Sequence, residues 1–495
     1  MKDLNKLPVT CAEKYTERIA LIDFDGSTVT YKELYMEICR LTLLLEHKGV
    51  AKGHKAILQL QNSALFIECF FALNSIGAVP ILCSMELGKR ELNLAIEKLD
   101  PVIHITEENG KEHCFGDIVT VCRRELLTSS VLEVTPVKAA QEENYAAIIM
   151  SGGTTGIPRF IPMERKKLLL HLELSAKRSG INKNTRLLSV LPLVHKIGLY
   201  SPGVLSVLNA GGMVVLSNTK DFSILTDMAK KYKVNYLLLV PSFAKLWLEE
   251  IGEKELQIDT LFSGGEHLDG ETAGRVEHKF GGTLIQLYGM TEGVCFIADQ
   301  GDSEKTRYYT QGEPISETDQ YRIIDINGCV AKKGEIGELW FKGEYLFNGY
   351  LLDPEENMRS FSPDGYFKTG DLVKEDDDGN IIAVGRKREQ INIAGEKMIP
   401  SELESYLLDI PEIVDCAVLG VPDHYTGERV CAVFVLKNDM ELRVLRKLVR
   451  DKLDDIGISK YKYPTQIVVR KELLYTRVGK INKAKLRKEI LANEE

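Results

Sequence analysis

The sequence predicts an α/β protein, with a large N-terminal domain of helix-covered sheets and a small α+β C-terminal domain. Three observations carry this prediction. Strand and helix patterns alternate through the first third of the chain, which is the rhythm of parallel sheets covered by helices. A charged segment, Gly385-Arg386-Lys387-Arg388, follows an apolar strand and opens a stretch of different character. The chain has 495 residues, and domains usually run about 100–200 residues, so two or three are expected.

The elements follow in order. Ala20–Phe24 and Thr28–Thr30 flank Asp25-Gly26, a hairpin signal. Thr30 and Glu33 form a Thr-x-x-Glu capping box, after which Leu34, Ile38, Leu41 and Leu45 recur at helical spacing and Gly49 lies just past the end. A strand at Ala56–Leu60 leads to a helix capped by Ser63, with Phe66, Cys69, Phe70 and Leu73 on one face. Gly77 closes that helix before the strand Val79–Leu82. A helix over Lys89–Leu99 and a strand over Val102–Ile105 follow. Past residue 385, Pro400 opens a short helix carrying Leu403, Leu407 and Leu408, two strands span Ile413–Val421 and Arg429–Leu436, and Asp439 caps a helix with Leu442, Leu445, Leu448 and Val449. A basic run from Lys471 to Lys488 reads equally as a solvated face or as the carrier of a phosphate-facing lysine.

Composition excludes several function classes. Residues are 44% hydrophobic and 27% charged, as in ordinary soluble globular proteins. The formal charge of −9, from 63 basic and 72 acidic side chains, disfavours a nucleic-acid binder. The most apolar stretch, Phe66 to Cys83, is interrupted by Glu68, Asn74 and Pro80, so no membrane span is expected. Met1-Lys2-Asp3-Leu4-Asn5-Lys6 has no secretory character, and a cytoplasmic location is expected. None of the ten cysteines forms a Cys-x-x-Cys pair, and they read as buried free thiols.

The strongest local signal is Ser151-Gly152-Gly153-Thr154-Thr155-Gly156-Ile157-Pro158-Arg159, directly after the apolar strand Tyr145–Met150. Glycines let the backbone turn its N–H groups toward an anion, hydroxyls add donors, and the arginine adds charge. It is neither a Walker loop nor a Gly-x-Gly-x-x-Gly fingerprint. Downstream stand Tyr288-Gly289-Met290-Thr291-Glu292-Gly293, Tyr366-Phe367-Lys368-Thr369-Gly370-Asp371-Leu372, Gly385 through Lys397 with its Gln390-Ile391-Asn392-Ile393-Ala394-Gly395-Glu396-Lys397, and Val478-Gly479-Lys480-Ile481-Asn482.

These five motifs, in this order and spacing, resemble the adenylate-forming (AMP-binding) superfamily of acyl-CoA synthetases, luciferases and peptide-synthetase adenylation domains. The likeness runs from about Leu21 to Leu486. Within it, Leu191-Pro192-Leu193-Val194-His195 and Tyr200-Ser201-Pro202-Gly203-Val204-Leu205 resemble the free-standing aryl-acid AMP ligases, of the dihydroxybenzoate and salicylate type, that serve siderophore and nonribosomal peptide biosynthesis. The resemblance implies ATP and Mg²⁺ as cofactors and a carboxylate attacking the α-phosphorus. Such anion-on-anion chemistry is mostly positioning and charge neutralisation.

The roles it implies are specific. The loop Ser151, Gly152, Gly153, Thr154, Thr155, Gly156 and Arg159 would hold the β- and γ-phosphates. Thr291 would bond the α-phosphate and Glu292 the metal. Tyr288, with Gly289, would pack on adenine beside Gly264, Gly265 and Glu266. Asp371, assisted by Arg386, would take the ribose hydroxyls, and Lys480 would bridge the substrate carboxylate and the α-phosphate. His195 would line the carboxylate end of an acid pocket walled by Lys196, Ser201, Leu239, Ser263, Leu287 and Cys295. The C-terminal domain (389–495) would be mobile, rotating against the core (1–385) about a hinge at 386–388 centred on Arg388, and would present the Gly395 region for a second half-reaction. That step would pass the acyl group to a carrier protein's phosphopantetheine, expected on a separate chain, or to CoA. The alternatives are an aryl- or acyl-CoA synthetase and a non-catalytic nucleotide binder. The joint presence of Glu292, Asp371, Arg386 and Lys480 argues against the binder, and charge and the lack of a Lys-x-Asp-Gly motif exclude a nucleic-acid ligase.

Three positions depart from the family pattern. Arg159 stands where lysine is usual, with a different fork geometry. Gly152 replaces a hydroxyl residue, as in aryl-acid enzymes. Lys196 occupies a position that is Asp in amino-acid enzymes and Asn in dihydroxybenzoate enzymes. A lysine there repels an ammonium, which disfavours amino acids, and it points either to a second acceptor group on the acid or to a solvated rim.

Overall fold

The computed structural model describes residues 3–107, 118–129, 145–151, 159–251, 256–266, 268–394, 396–423, 425–475 and 480–492. The chain divides into two compact units: residues 1–320 with 342–362, and residues 321–341 with 363–495. In chain order the strands are β1 (Ile19–Ile22), β2 (Thr28–Thr30), β3 (Lys55–Gln59), β4 (Val79–Leu82), β5 (Ile103–Thr106), β6 (Val119–Cys122), β7 (Tyr145–Ser151) and β8 (Arg159–Glu164). Next come β9 (Arg186–Ser189), β10 (Met213–Leu216), β11 (Tyr236–Leu239), β12 (Thr260–Gly264), β13 (Thr283–Gly289), β14 (Cys295–Ile297), β15 (Glu313–Pro314) and β16 (Gln320–Ile324). The last are β17 (Gly337–Lys342), β18 (Phe367–Glu375), β19 (Ile381–Arg386), β20 (Ile391–Ile393), β21 (Glu396–Met398), β22 (Ile413–Asp423), β23 (Gly427–Leu436) and β24 (Gln466–Arg470).

Two mainly parallel sheets build the first unit. The larger runs β15-β14-β13-β12-β11-β9-β10-β1-β2, parallel from β13 to β1 and antiparallel at both edges. The smaller runs β6-β5-β3-β4-β7-β8, with only β7–β8 antiparallel. Local sequence sets the helix ends as expected. The Thr30–Glu33 capping box starts the helix Tyr31–His47, which buries Leu34, Ile38, Leu41 and Leu45. Ser63 accepts from the Phe66 amide at the start of the helix Ala64–Ile76, and Gly77 ends it.

That second helix departs from its one-sided pattern, because all 13 of its residues are buried. Its polar residues are accommodated differently. Asn74 donates to Phe70 O at 2.7 Å and Ala146 O at 3.0 Å. Burial pushes the Glu68 carboxyl up to about 8, so it is held largely neutral at physiological pH.

Asn62, just before this helix, ties the two sheets together. Its amide donates to Leu191 O at 3.0 Å and Ser217 O at 3.3 Å, and its Oδ1 accepts from Leu193 N at 2.9 Å. The loop that follows β9 is thereby fixed to the loop that follows β3.

The second unit holds the sheet β16-β17-β18-β19, antiparallel from β17 to β19, and a five-stranded sheet β21-β20-β23-β22, with β24 beside β23. Side chains of β22 alternate as a strand requires. Cys416 and Val418 pack with Leu403, Leu407, Leu445, Val449 and Leu453, while Ala417, Leu419 and Val421 pack with Leu473, Leu486 and Ile490. The compact units part earlier in the chain than residue 385, because β16–β19 groups with the C-terminal part. One cap is corrected: the helix is Leu442–Ile456, with Glu441 rather than Asp439 at its N-cap. Its buried stripe is Leu445, Val449 and Leu453, so Leu442, its first residue, is exposed. The nine described cysteines are free and all but Cys329 are buried; Cys114 lies outside the described residues. Among the described residues no helix is long and apolar enough to cross a membrane.

Candidate active site

The parallel strands of the large sheet end side by side. Leu239 is in register with Ser263, Gly264 with Leu287, and Gly289 with Cys295. Ligands of open parallel sheets bind at such carboxyl ends. Leu239, Ser263, Leu287 and Cys295, expected as pocket walls, are all buried here, as are Ser201 and Lys196. His195 is half-buried at the N-cap of the short helix Lys196–Leu199. Tyr200 Oη and Ser263 Oγ are buried without a hydrogen-bond partner among the described residues. Buried hydroxyls are normally satisfied; the Ser263 hydroxyl, near the end of β12, is not met by another described residue.

Beyond β13 the chain makes a tight turn that carries Thr291 and Glu292. Gly293 N donates to Met290 O at 3.1 Å, and Met290 N donates to Val294 O at 3.0 Å. Gly293 has φ +128, and a Cβ there would lie 2.9 Å from Leu346 Cα, so only glycine fits. The turn is held from outside as well. Phe347 N donates to Glu292 O at 2.8 Å, and Tyr350 Oη donates to Glu292 Oε1 at 2.8 Å. Lys196 Nζ donates to Met290 O at 2.6 Å and Val294 O at 3.3 Å. Lys196 is thus not on a solvated rim. Burial lowers its ammonium to about 8, with Cys295 and Glu292 pulling the other way.

Arg159 opens β8, in register with Ser151 at the end of β7. Its guanidinium lies over the Tyr350 ring at 5.0 Å and pairs with Glu356 at 2.7 Å. Tyr350 therefore touches both the foot of the Ser151–Arg159 hairpin and the Glu292 carboxylate. Gly152, Gly153, Thr154, Thr155 and Gly156 lie outside the described residues. Gly264 ends β12 and pairs with Leu287, one residue before Tyr288; Gly265 (φ +95) and Glu266 follow it.

In the second unit Asp371 and Arg386 face each other across β18 and β19, with Arg386 Nε 3.2 Å from Asp371 Oδ1. Asp371 N donates to Thr369 Oγ1 at 3.1 Å, and Thr369 donates to Leu339 O at 2.8 Å. Arg388 is exposed on the 3-10 turn Lys387–Glu389. Lys480 is half-buried just before the bridge between Tyr475 and Ile481, while Gly395, Val478 and Gly479 lie outside the described residues.

Comparison with known proteins decides the family. Residues 9–351 match the AMP-binding enzyme family and residues 402–480 match its C-terminal domain. The chain belongs to the AMP-binding enzyme family. This AMP-binding enzyme is 32% identical over 501 residues to the 2,3-dihydroxybenzoate-AMP ligase of Bacillus subtilis, covering 97% of this chain and 92% of that one. It is 30% identical to the salicyl-AMP ligase / salicyl-S-ArCP synthetase of Mycobacterium tuberculosis, over 95% of this chain and 88% of that one. Among solved structures, the o-succinylbenzoate CoA synthetase of Bacillus subtilis in complex with its acyl-adenylate superposes with a TM-score of 0.86. That match has 26% identity and covers 99% of this chain and 98% of that one. Membership makes the protein an adenylating ligase that uses ATP.

The residues present in this AMP-binding enzyme fit a magnesium ion. A hard dication needs oxygen donors and is commonly held by one or two carboxylates together with nucleotide phosphates. Glu292 offers such a carboxylate, oriented by Tyr350. Among the described residues there is no cluster of three or more His, Cys, Asp or Glu that could hold a metal ion. Sequence reasoning missed Tyr350 and Asn62. The Asn348-Gly349-Tyr350 turn was a readable signal for the first; Asn62 has no local signature, since its partners lie 129 to 155 residues away.

Proposed function

We propose that this protein activates an aromatic carboxylic acid with ATP and Mg²⁺ and passes the acyl group to the phosphopantetheine thiol of a separate carrier protein. The substrate carboxylate oxygen attacks the α-phosphorus, the bond to the bridging β-oxygen breaks, and pyrophosphate leaves. In the second step the carrier thiolate attacks the acyl carbonyl and AMP departs. The observation that carries this reading is the link Arg159–Tyr350–Glu292, which brings the foot of the glycine-rich hairpin and the Thr291–Glu292 turn together in one unit. The strand ends bearing Leu239, Ser263, Leu287 and Cys295 wall the acid pocket, with His195 at its carboxylate end.

Within that reading the hairpin backbone and Arg159 bind the β- and γ-phosphates, and Thr291 binds the α-phosphate. Glu292 holds Mg²⁺, which when bound neutralises charge on the phosphates. Tyr288 and the Gly264–Glu266 segment receive adenine, and Asp371 with Arg386 receives the ribose hydroxyls. Lys480 supplies positive charge to the carboxylate and α-phosphate, and a rotation about Arg388 withdraws it for thiol transfer. The similarity to dihydroxybenzoate- and salicyl-AMP ligases supports an aryl acid and a carrier thiol. A second reading, CoA as acceptor, is favoured by the likeness to o-succinylbenzoate CoA synthetase.

The test is acid-dependent ATP–pyrophosphate exchange over benzoates, hydroxybenzoates, pyridine carboxylates, dicarboxylates, fatty acids and amino acids. Exchange with one aromatic class is the expected result. Exchange with an aliphatic or amino acid alone overturns the aryl assignment, and ATP binding with no exchange for any acid overturns the enzymatic reading. Product analysis with CoA and with a holo carrier protein then separates the two acceptors.

A further inference from the structure

Lys196 is the least expected group near the strand ends. An ammonium moved out of water is costly unless its donors are met. Here burial is nearly complete, at 6% exposure, and two of the three donors go to backbone carbonyls rather than to a carboxylate. Those carbonyls, Met290 O and Val294 O, are the two that already close the turn through Gly293 N and Met290 N. Each therefore uses a second lone pair on Lys196, and the side chain straps both ends of the segment that presents Thr291 and Glu292. The remaining neighbours complete the setting. His171 is buried and kept neutral, and Glu292 and Cys295 are close enough to favour the ammonium.

We propose that Lys196 is a positioning residue for adenylate formation, which fixes the Thr291–Glu292 turn by bonding its two flanking carbonyls and does not select the acid. The inference rests on the roles given above to Thr291 and Glu292. A strap of this kind has a definite signature. Loosening it alters how well the turn meets α-phosphate and Mg²⁺, leaves the order of acid preference alone, and frees the turn in the unliganded protein.

The experiment compares the full-length protein with Lys196→Met, similar in length and without donors, and Lys196→Gln, whose amide keeps donors on a shorter chain. Hydrogen exchange of the peptides spanning residues 288–298 is measured without ligands, and ATP–pyrophosphate exchange is measured against Mg²⁺ and against the acid panel. Lys196→Met is expected to speed exchange in that segment, raise the Mg²⁺ concentration for half-activity, and lower kcat roughly tenfold, the size of losing one charge-assisted hydrogen bond, with unchanged acid ranking. Lys196→Gln should fall between the two. A changed acid ranking with unaltered turn exchange overturns the strap and returns Lys196 to the acid pocket. Unaltered turn exchange with unaltered Mg²⁺ dependence overturns it as well. If the parent protein exchanges with no acid, the functional reading fails, and the unliganded hydrogen exchange still decides whether Lys196 restrains the turn. If Lys196→Met does not fold, the same measurements on Lys196→Gln decide.

Discussion

The Thr291–Glu292 turn and the Asp371–Arg386 pair are held in opposite ways. Glu292 is fixed by Tyr350, 58 residues away, and its turn by Lys196, 94 and 98 residues away, all largely buried. Asp371 and Arg386 are direct partners on adjacent antiparallel strands, and the arginine side chain is 39% exposed. The first arrangement depends on the whole fold of its unit, whereas the second is settled by one hairpin's register. Groups of the first kind should respond to remote substitutions and transmit them to chemistry. Groups of the second kind should respond only to their own replacement.

Four changes break or sharpen that contrast. Lys480→Ala, in the second unit, should lower ATP–pyrophosphate exchange by roughly 10²–10³, the usual size for removing a transition-state charge donor, while equilibrium dialysis shows ATP binding within a few-fold of the parent. Full exchange activity would remove Lys480 from the chemistry.

Glu68 tests the cost of burial in the first unit. Burial, with Glu37 and Asp23 adding to it and Arg40 and Arg123 opposing, raises its folded pKa to about 8 from 4.5. The folded state therefore binds a proton that the unfolded state releases, so this group's stability is present below pH 4.5 and is lost as pH rises through 8. Glu68→Gln should stabilise the protein at pH 9 by on the order of 2–4 kcal/mol and little at pH 5. Melting temperatures that differ equally at both pH values would show that Glu68 is ionised when buried.

Tyr350→Phe removes one hydroxyl and one hydrogen bond to Glu292. A loss of roughly tenfold in kcat/KM for MgATP is expected, with the melting temperature nearly unchanged. If kcat/KM stays at the parent value, Glu292 needs no help from its distant partner and the contrast weakens. Asp371→Asn gives the smallest structural effect. Asp371 is buried but its Arg386 partner is 39% exposed and screened by solvent, so losing the pair should cost on the order of 1 kcal/mol, whereas loss of a ribose contact raises the KM for ATP roughly tenfold. A large fall in melting temperature with unchanged KM would assign the pair to structure.

What the chain discloses before folding follows the same division. Helix caps at Thr30 and Ser63, the helix Lys89–Leu99 and the strand Val79–Leu82 are written in local residue types, and they are found where the spacing puts them. The motif residues Thr291, Glu292, Asp371 and Arg386 are recognisable because their neighbours are unusual. The partners of Lys196 and the tie made by Asn62 are not recognisable, because they bond carbonyls, and every residue has one. Which carbonyl is met is decided by how strands order themselves in a sheet. The Ala64–Ile76 helix shows the same limit: its apolar stripe is legible, its complete burial is not.

That helix has a consequence for how the protein is made. Phe66, Ile67, Phe70 and Phe71 emerge with only the helix Tyr31–His47 and the strands β3 and β4 near them in sequence to pack on, and the rest of their cover lies far ahead. The Ala146 carbonyl that meets Asn74 follows 72 residues later, and the Ser217 carbonyl that meets Asn62 follows 155 residues later. At the usual ~5–20 residues per second of synthesis, this greasy segment waits many seconds for the later part of its cover. A nascent chain halted in that interval should be sticky and chaperone-bound, and an N-terminal fragment ending before the large sheet is complete should be recovered as aggregate.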